Sequence, residues 1–446
     1  EITLEMIKLL KTRTDIAKQI GDAKASLGMT VTDEEREDEL RTQVAKLCKE
    51  IDLDQSTASK FLNLLLNESV KVQSDNKQTH LSVFLKAKAL EEQGKKIIHL
   101  EVGEPDWNPP KEVKTALAEV YDKGYGKYGP AKGITELRTA LASFHGTESK
   151  ENIMVCPGAR FAVYLAITTL LNPGDEIIVI EPAWPAYKDC ALNAGIKVRT
   201  IKTTLETKWE PSVEQINNVI NENTKMIVLN YPNNPTGKIL SNELLDSIIQ
   251  IAKEHDLYVL SDEIYSEYTL GASARLMVTH TSVLEFGYKK SIITESFSKW
   301  KAMTGYRIGY AIAEPSIIDK MSKLQALCLT NVSEPIQYVA LQALKVNTTK
   351  EFGVMISSRQ EILCSLAEDI GLEFIEPDGA MYLFARTKHK NFDATEFSEK
   401  LLKHGVAIAP GEGFGDYKEF FRITAIDEEG LIEGMKILDT VLKENV

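Results

Sequence analysis

Cysteine and long apolar runs are scarce in this chain, and both shortages narrow its class. Only 5 of the 446 residues are cysteine, and they form no C-x-x-C pair. This usage predicts reduced thiols in a cytoplasmic protein rather than a disulfide scaffold. The histidines show no metal-ligand spacing, so no metal site is predicted. No apolar run approaches the roughly 20 residues of a membrane helix, so no membrane association is expected.

Positive charge is also in deficit. The net charge of −13 argues against a general nucleic-acid binder or a protein of anionic membrane surfaces. The composition, 43% apolar and 26% charged, is typical of soluble globular proteins. A length of 446 residues exceeds one ordinary core and predicts two or three domains.

Proline is absent from residues 1–74, which contain two glycines and three amphipathic helical patterns. The segment therefore predicts an all-α, three-helix domain. Its apolar stripes are short, so the core is thin and packing against a second copy is expected. A polar linker over residues 75–80 follows.

Short β-rich runs alternate with helical stretches from Leu81 onward, as in "DEIIVIEP" and "LYVLSDE". This alternation predicts an α/β domain with a mostly parallel, doubly wound sheet over residues 81–332. Residues 333–446 return to long helices with two β-rich runs, which predicts a small α+β C-terminal subdomain. In such sheets, ligands bind beyond the carboxyl ends of the strands.

Polar residues cluster at those strand ends. Small hydroxyls around Lys299, with Arg307 eight residues later, could hold a phosphate beside an amine nucleophile. Free amides near Ala159, at a strand-to-helix turn, favour an anion. Taken singly, the lysine motif is also typical of a surface loop, and "NNPTG" of a turn. The candidate residues are Ala159, Asn234, Asp262, Tyr265, Ser296, Lys299 and Arg307.

The order and spacing of these motifs resemble the fold-type I pyridoxal-phosphate aminotransferases of the aspartate aminotransferase group (class I/II). Matching stretches between about residue 80 and residue 446 are "EVGEPDW", "YGKYGPAKGITELR", "PGAR", "EPAWPAY", "YPNNPTG", "SDEIY", "SFSK", "GYRIGY" and "FRIT".

The resemblance implies roles toward pyridoxal 5′-phosphate. Lys299 would attach the cofactor and move the substrate proton, and Asp262 would pair with the pyridine nitrogen. Trp184 would stack on the ring. Tyr265 and Asn234 would bond its phenolic oxygen. The phosphate would be held by Ser296, Arg307 and the turn at Ala159 and Arg160, with Tyr128 reaching it from the partner subunit of a homodimer.

Substrate recognition is implied in the same way. Arg422 would bind the α-carboxylate as a bidentate fork, with Gly103 allowing close backbone approach. In relatives that take acidic substrates, a lysine stands where this chain has Arg160, near a hydroxyl residue aligned with Ser82. A cation there favours a dicarboxylic partner. The alternative reading makes Arg160 an exposed helix-start residue.

The first helix carries two cations on its apolar stripe. Arg13 and Lys24 lie about three turns apart and face one side. Mutual ion pairing in a helical dimer is one explanation, and a small anionic ligand is the other. The same interior is expected to receive polar side chains of the second and third helices, namely Asp33, Arg36, Glu37, Ser69 and Gln73.

This segment resembles the all-helical (AroQ-type) chorismate mutases through "LLKTRTDIAKQIGDAK", "VTDEERE" and "NESVKVQ". By that resemblance Arg13 binds a substrate carboxylate, and Lys24 and Gln73 donate to the ether oxygen. Glu37 accepts from the ring hydroxyl. The family's second carboxylate-binding arginine would lie before Glu1. The remaining wall of the site would be Asp33, Arg36 and Ser69.

Together the resemblances imply a bifunctional cytoplasmic enzyme that makes prephenate from chorismate and transaminates it to arogenate with glutamate or aspartate. One alternative keeps the mutase beside an aspartate or aromatic aminotransferase. Another makes the helices a non-catalytic dimerisation or regulatory domain. A transcription regulator with a DNA-binding N-terminus is disfavoured, because residues 1–77 carry more acidic than basic side chains and no strand pair.

Overall fold

The N-terminal segment is helical throughout, as predicted. The computed structural model describes residues 1–26, 34–74, 80–268, 280–389 and 391–444. Helix α3 packs against both of the helices that precede it. The three helices are α1 (Ile2–Ser26), α2 (Glu34–Ile51) and α3 (Gln55–Ser74).

The apolar stripe of α1 is not buried within one chain, which corrects the expectation of a buried stripe. Ala17 is buried, whereas Leu9 and Ile16 are 63% and 50% exposed. On α2, the apolar Leu47 is also 51% exposed. The physical reason is that a domain of three helices is small. Helix α1 packs mainly against α3, and the rest of its apolar surface remains exposed to solvent.

The remaining elements alternate between strands and helices. Strands are β1 (Ile98–His99), β2 (Ile153–Cys156), β3 (Glu176–Glu181), β4 (Lys197–Lys202), β5 (Thr224–Asn230), β6 (Tyr258–Asp262), β7 (Ser291–Ser296), β8 (Gly309–Ala313), β9 (Glu373–Phe374), β10 (Tyr382–Arg386), β11 (Val406–Ala407), β12 (Ala409–Pro410) and β13 (Phe420–Thr424). Helices are α4 (His80–Glu92), α5 (Lys111–Asp122), α6 (Thr135–His145), α7 (Ala159–Leu170), α8 (Ala186–Asn193), α9 (Val213–Val219), α10 (Asn242–Glu254), α11 (Pro315–Leu329), α12 (Glu334–Leu344), α13 (Thr349–Asp369), α14 (Ala394–Lys403) and α15 (Glu428–Lys443).

A seven-stranded sheet forms the centre of the α/β part, in the order β2-β8-β7-β6-β5-β3-β4. Strands β3 to β7 are parallel to their neighbours among themselves, and β8 runs antiparallel to both β2 and β7. Strands β3, β6 and β7 are buried almost throughout, so they read as largely apolar runs rather than alternating ones, whereas the edge strand β4 is partly exposed. The predicted mostly parallel, doubly wound sheet is confirmed.

A second, four-stranded antiparallel sheet (β12-β13-β10-β9) lies in the C-terminal part. Strand β1 pairs in parallel with β11, and Val83 and Ala87 of α4 pack with Leu402. The segment from α4 to β1 therefore packs with the C-terminal part, although the sequence pattern predicts that residues 81–332 form the large domain. This packing brings the residues after β1 beside the carboxyl edge of the large sheet.

Membrane and metal features can be assessed for the described part of the chain. In that part, no helix combines the length and apolar character needed to cross a membrane. Its histidine, cysteine and carboxylate side chains also form no group suited to a metal ion.

Candidate active site

A cavity of about 520 Å³ opens at the carboxyl ends of the central strands, between the two sheets. Parallel strands bring their following loops to one edge, so residues far apart in sequence converge there. Ten of the residues proposed from the sequence line it: Gly103, Ala159, Arg160, Trp184, Asn234, Asp262, Tyr265, Lys299, Arg307 and Arg422.

Asp262 ends strand β6 and is buried at the base of the cavity. Its Oδ2 accepts a 2.6 Å hydrogen bond from the Tyr187 hydroxyl. Its Oδ1 is buried without a hydrogen-bond partner. Burial raises the pKa of Asp262 to about 6, and the bond from Tyr187 opposes that rise. One carboxylate oxygen is thus anchored and the other is left for a donor.

Lys299 follows β7 and enters the same cavity, where its Nζ donates to the Gly103 carbonyl. Burial is the main cause that lowers the pKa of Lys299 to about 8, helped by the nearby Arg422 guanidinium. A substantial fraction of this amine is therefore neutral near pH 8, which is the form that attacks a carbonyl carbon.

An anion cradle lies at the start of α7. Gly158 precedes the helix with φ +90°, and a Cβ there would meet the Arg307 Nη2 at 2.7 Å. The Arg307 Nη1 is fixed by a 2.7 Å bond to the Thr304 carbonyl. A helix N-terminus, a guanidinium and the Ser298 hydroxyl thus surround one pocket of the cavity, which suits a phosphate.

Arg422 lies on β13 and is 2% exposed. Its Nη1 donates to Asn234 Oδ1 at 2.7 Å, and its Nη2 donates to the Glu101 carbonyl. Its Nε is buried without a partner. Among the described residues no carboxylate forms an ion pair with Arg422, and a buried guanidinium in that state is suited to receive a carboxylate ligand.

Arg160 is exposed at the first turn of α7, yet its side chain is not free. Its guanidinium lies 4.7 Å from the centre of the Trp184 ring, a cation–π contact. Both residues line the cavity, so Arg160 adds a guanidinium to those of Arg307 and Arg422.

Three proposed residues do not line the cavity. Ser296 is fully buried behind Ser298, whose amide and hydroxyl it contacts at 2.9 and 2.7 Å, so Ser298 faces the pocket instead. Ser82 is partly buried on α4, and Phe84 reaches the cavity from that helix. Tyr128 is 90% exposed, as a residue reaching another subunit would be.

Sequence reasoning missed two tyrosines that contact the proposed site residues. Tyr187 bonds Asp262, and Tyr382 contacts both Tyr265 and Arg422. Both lie in stretches that show family resemblance or β-pattern, "EPAWPAY" and "GAMYLFART". Tyr187 is 75 residues from Asp262 in the sequence, and Tyr382 is 117 residues from Tyr265. At such separations, the sequence gives no signal that the side chains meet.

Comparison with known proteins assigns the larger part of the chain. Residues 95–438 match the family model "Aminotransferase class I and II". The chain belongs to this aminotransferase family. An aspartate aminotransferase of Pyrococcus horikoshii is 35% identical over 78% of this chain and 91% of that protein. An aspartate/prephenate aminotransferase of Thermus thermophilus is 32% identical over 84% of this chain and 98% of that protein.

A solved structure agrees with the fold. The aspartate aminotransferase from Thermus thermophilus with maleate superimposes with a TM-score of 0.78 at 31% identity, covering 83% of this chain and 98% of that one. Residues 1–74 match a second family model, "Chorismate mutase type II". The chain is thus a fusion of the two enzyme families, an isomerase followed by a transferase.

Class I and II aminotransferases of fold type I use pyridoxal phosphate, and the residues of this aminotransferase fit that group. The unpartnered Asp262 Oδ1 matches a protonated ring nitrogen. The turn at Gly158, whose positive φ favours glycine and which lies against the Arg307 guanidinium, matches a phosphate. Lys299 supplies an amine to the same cavity.

In the chorismate mutase segment, the structure describes contacts for only some of the proposed polar residues. Arg13 is partly buried with its Nε lacking a hydrogen-bond partner, and Lys24 is partly buried on the same helix. Glu37 lies 3.9 Å from Arg41 Nη2. Ser69 donates to the Leu65 carbonyl at 2.8 Å.

Arg36 is exposed in the single chain, and its Nη1 donates to Glu39 Oε2 at 2.6 Å. Its place in the wall of the mutase site stays a prediction. Asp33 lies outside the described residues. For Gln73, the structure describes only its position on α3.

Proposed function

We propose that this protein is a bifunctional enzyme of aromatic amino-acid biosynthesis. Its helical domain converts chorismate to prephenate by a Claisen rearrangement. Its aminotransferase domain then transfers an amino group from glutamate or aspartate to prephenate and forms arogenate. The intermediate that links the two reactions is a keto acid with two carboxylates.

The observation that carries the proposal is the pair of guanidiniums at one cavity, on a chain that also has a chorismate mutase domain. Arg422 is buried and holds one free donor, and Arg160 stands at the rim on Trp184. Two cations match the two carboxylates of a dicarboxylic substrate. The relative that crystallised with maleate, a dicarboxylate, supports this assignment, as does the relative named for prephenate.

The residues around the cavity divide the work of transamination. When bound, pyridoxal phosphate supplies a ring that takes up the electron pair released as the substrate Cα–H bond breaks. Lys299 accepts that proton from the substrate Cα on its Nζ and delivers it to the cofactor C4′. Asp262 keeps the ring nitrogen protonated, and Tyr265 with Asn234 bonds the phenolic oxygen. Arg422 orients the α-carboxylate.

The helical domain needs no covalent step. Arg13 binds a carboxylate of chorismate, while Lys24 and Gln73 stabilise the negative charge that develops on the ether oxygen. Glu37 accepts from the ring hydroxyl. The buried, unpartnered Nε of Arg13 supports a role in binding an anion rather than in an internal ion pair.

A homodimer is part of the proposal. The exposed apolar face of α1 and the 90% exposed Tyr128 both suit burial against a second copy. The cytoplasmic location remains a prediction from cysteine usage.

A second candidate keeps the mutase and assigns the transferase to aspartate or to an aromatic keto acid. The relatives named aspartate aminotransferase favour this candidate, since one of them is 35% identical to this chain and the aspartate/prephenate aminotransferase is 32% identical. It differs from the first in the keto acid alone, so one assay separates them.

That assay supplies chorismate, glutamate and pyridoxal phosphate to the full chain and follows the products by mass. Arogenate is expected to accumulate as chorismate disappears. Chorismate loss without arogenate, with either glutamate or aspartate as donor, would assign the transferase to another keto acid. Transamination of supplied prephenate without chorismate loss would make the helices a non-catalytic domain.

A further inference from the structure

Tyr382 occupies the point where the substrate and cofactor ends of the cavity meet. It begins strand β10, is 1% exposed and lines the cavity. Pairing of β10 with β13 sets Tyr382 opposite Thr424, two residues from Arg422. The antiparallel register of these two strands therefore places the Tyr382 ring beside Arg422.

The ring of Tyr382 supports the guanidinium that is proposed to bind the α-carboxylate. The Arg422 Cζ lies 4.2 Å from the centre of the Tyr382 ring and 5.1 Å from that of Phe414. Such cation–π contacts favour one orientation of the guanidinium plane. With its two bonds to Asn234 Oδ1 and the Glu101 carbonyl, Arg422 is held before any substrate arrives.

The hydroxyl of Tyr382 makes a separate contact, with the Tyr265 hydroxyl at 2.5 Å. It also excludes a side chain at position 103, since a Cβ on Gly103 would come within 2.0 Å of the Tyr382 Oη. The same Gly103 accepts a hydrogen bond from Lys299 through its carbonyl. The Tyr382 side chain thus contacts Tyr265, Arg422 and Gly103, which are proposed to bind the cofactor's phenolic oxygen, to bind the substrate carboxylate and to allow close approach of the backbone.

We infer that Tyr382 is a positioning residue with two separable parts. Its ring fixes Arg422 for the α-carboxylate, and its hydroxyl donates to Tyr265, so that Tyr265 directs its own proton to the cofactor's phenolic oxygen. The inference rests on the proposed roles of Arg422 and Tyr265.

The direction of the hydroxyl bond follows from proton counting. Tyr265 carries one hydroxyl proton, and an ionised phenolic oxygen can only accept. Tyr265 therefore accepts from Tyr382 when it donates to that oxygen. Linked hydrogen bonds strengthen one another, so the Tyr382 hydroxyl stabilises the ionised form. Its removal raises the pH at which the visible absorption of the bound cofactor changes.

The test begins with Tyr382→Phe, which keeps the ring and removes the hydroxyl. The visible spectrum of the cofactor-loaded protein is titrated with pH without substrate. The midpoint is expected to rise by about 0.5 to 1 pH unit, with the KM for the amino donor changed less than threefold. Tyr417→Phe is the matched control, because Tyr417 is a buried tyrosine whose hydroxyl bonds the Thr203 carbonyl.

The ring is tested by Tyr382→Leu. We expect the KM for the amino donor to rise at least about tenfold beyond that of Tyr382→Phe, since Arg422 loses its aromatic support. Thermal unfolding and cofactor titration of each variant separate this effect from general damage. An unchanged midpoint in Tyr382→Phe, or equal KM in the two Tyr382 variants, would overturn the inference. Failure of the wild-type chain to transaminate would instead refute the proposed function.

Discussion

Two lysines two positions apart show why burial alone does not make a reactive amine. Burial lowers the pKa of both Lys299 and Lys301 to about 8. Lys299 lines the cavity, whereas Lys301 bonds the Val346 carbonyl and lies over the Trp300 ring. Reactivity at this site therefore depends on which lysine faces the cavity.

Lys299→Ala is expected to lower transamination at least about a thousandfold, because both the attaching amine and the proton carrier are lost. Steady-state kinetics with aspartate and a keto acid measures this change. The control is Lys301→Met, which should keep activity within about threefold. Equal losses in both variants would remove Lys299 from its proposed role.

The amine also predicts a pH dependence. With a pKa of Lys299 near 8, the neutral form rises as pH increases from 7 to 9. The rate at which cofactor-free protein takes up pyridoxal phosphate, followed by visible absorption, should rise with a midpoint near pH 8. A flat rate over this range would contradict the assignment of Lys299 as the attacking group.

Tyr187 supports Asp262 through a hydrogen bond to its carboxylate. Its hydroxyl is the donor to Oδ2, and a hydrogen bond to a charged group contributes about 1.5 to 3 kcal/mol. Tyr187→Phe is expected to weaken cofactor binding about tenfold or more, measured by titration of the cofactor-free protein. Tyr288→Phe, which removes a bond to the Leu257 carbonyl, should leave that affinity unchanged. Equal affinities in the two variants would contradict the support role.

At the scale of elements, helix α4 is tied to strand β1 by a histidine. His99 Nδ1 contacts Glu101 at 2.8 Å, and its Nε2 contacts Glu91 of α4 at 3.2 Å. The bond to Glu101, with that to Glu91, raises the pKa of His99 above 6.5. The protonated histidine therefore stabilises the folded state below pH 6.5, and this contribution is lost as pH rises through the higher folded-state pKa.

His99→Gln should accordingly lower the melting temperature more at pH 6 than at pH 9. The decrease at pH 6 is expected to exceed the decrease at pH 9 by about 1 to 3 °C. Thermal unfolding at several pH values measures this. His404→Gln is the control, because His404 is exposed and its Nδ1 contacts the Lys400 carbonyl of the preceding helix at 3.0 Å. A pH-independent difference would mean that His99 supports α4 by packing alone.

In the molecule as a whole, one chain carries two domains with separate proposed activities. The helical domain carries Arg13 and the aminotransferase domain carries Lys299, so each activity should be removable by itself. Arg13→Ala should lower chorismate consumption at least about thirtyfold, since a carboxylate of the substrate loses its charged partner. Transamination of aspartate should stay within about twofold.

Assays of the two half-reactions on one preparation measure this separation. Lys18→Ala is the control, because Lys18 is an exposed cation on the same helix. Loss of both activities in Arg13→Ala would indicate that the helices support the aminotransferase structurally, and retention of mutase activity would contradict the role of Arg13.

Much of the architecture could be predicted because its signals are local. Strands β3, β5, β6 and β7 coincide with apolar runs, and Asp262 and Lys299 follow strands whose carboxyl ends share one edge. The three N-terminal helices also appear where the periodicity predicted them. Burial of α1 was wrong for the single chain, since periodicity indicates an apolar face and does not say what covers it.

The secondary structure, the family and ten of the residues that line the cavity could be predicted from local sequence, because side-chain alternation and motif chemistry act over a few neighbouring positions. Tertiary structure alone decided the support of that cavity. Tyr187 finds Asp262 across 75 residues, Tyr382 finds Tyr265 across 117, and β1 pairs with β11 near the other end of the chain. Such contacts depend on strand order and register, which form only when distant segments pack together.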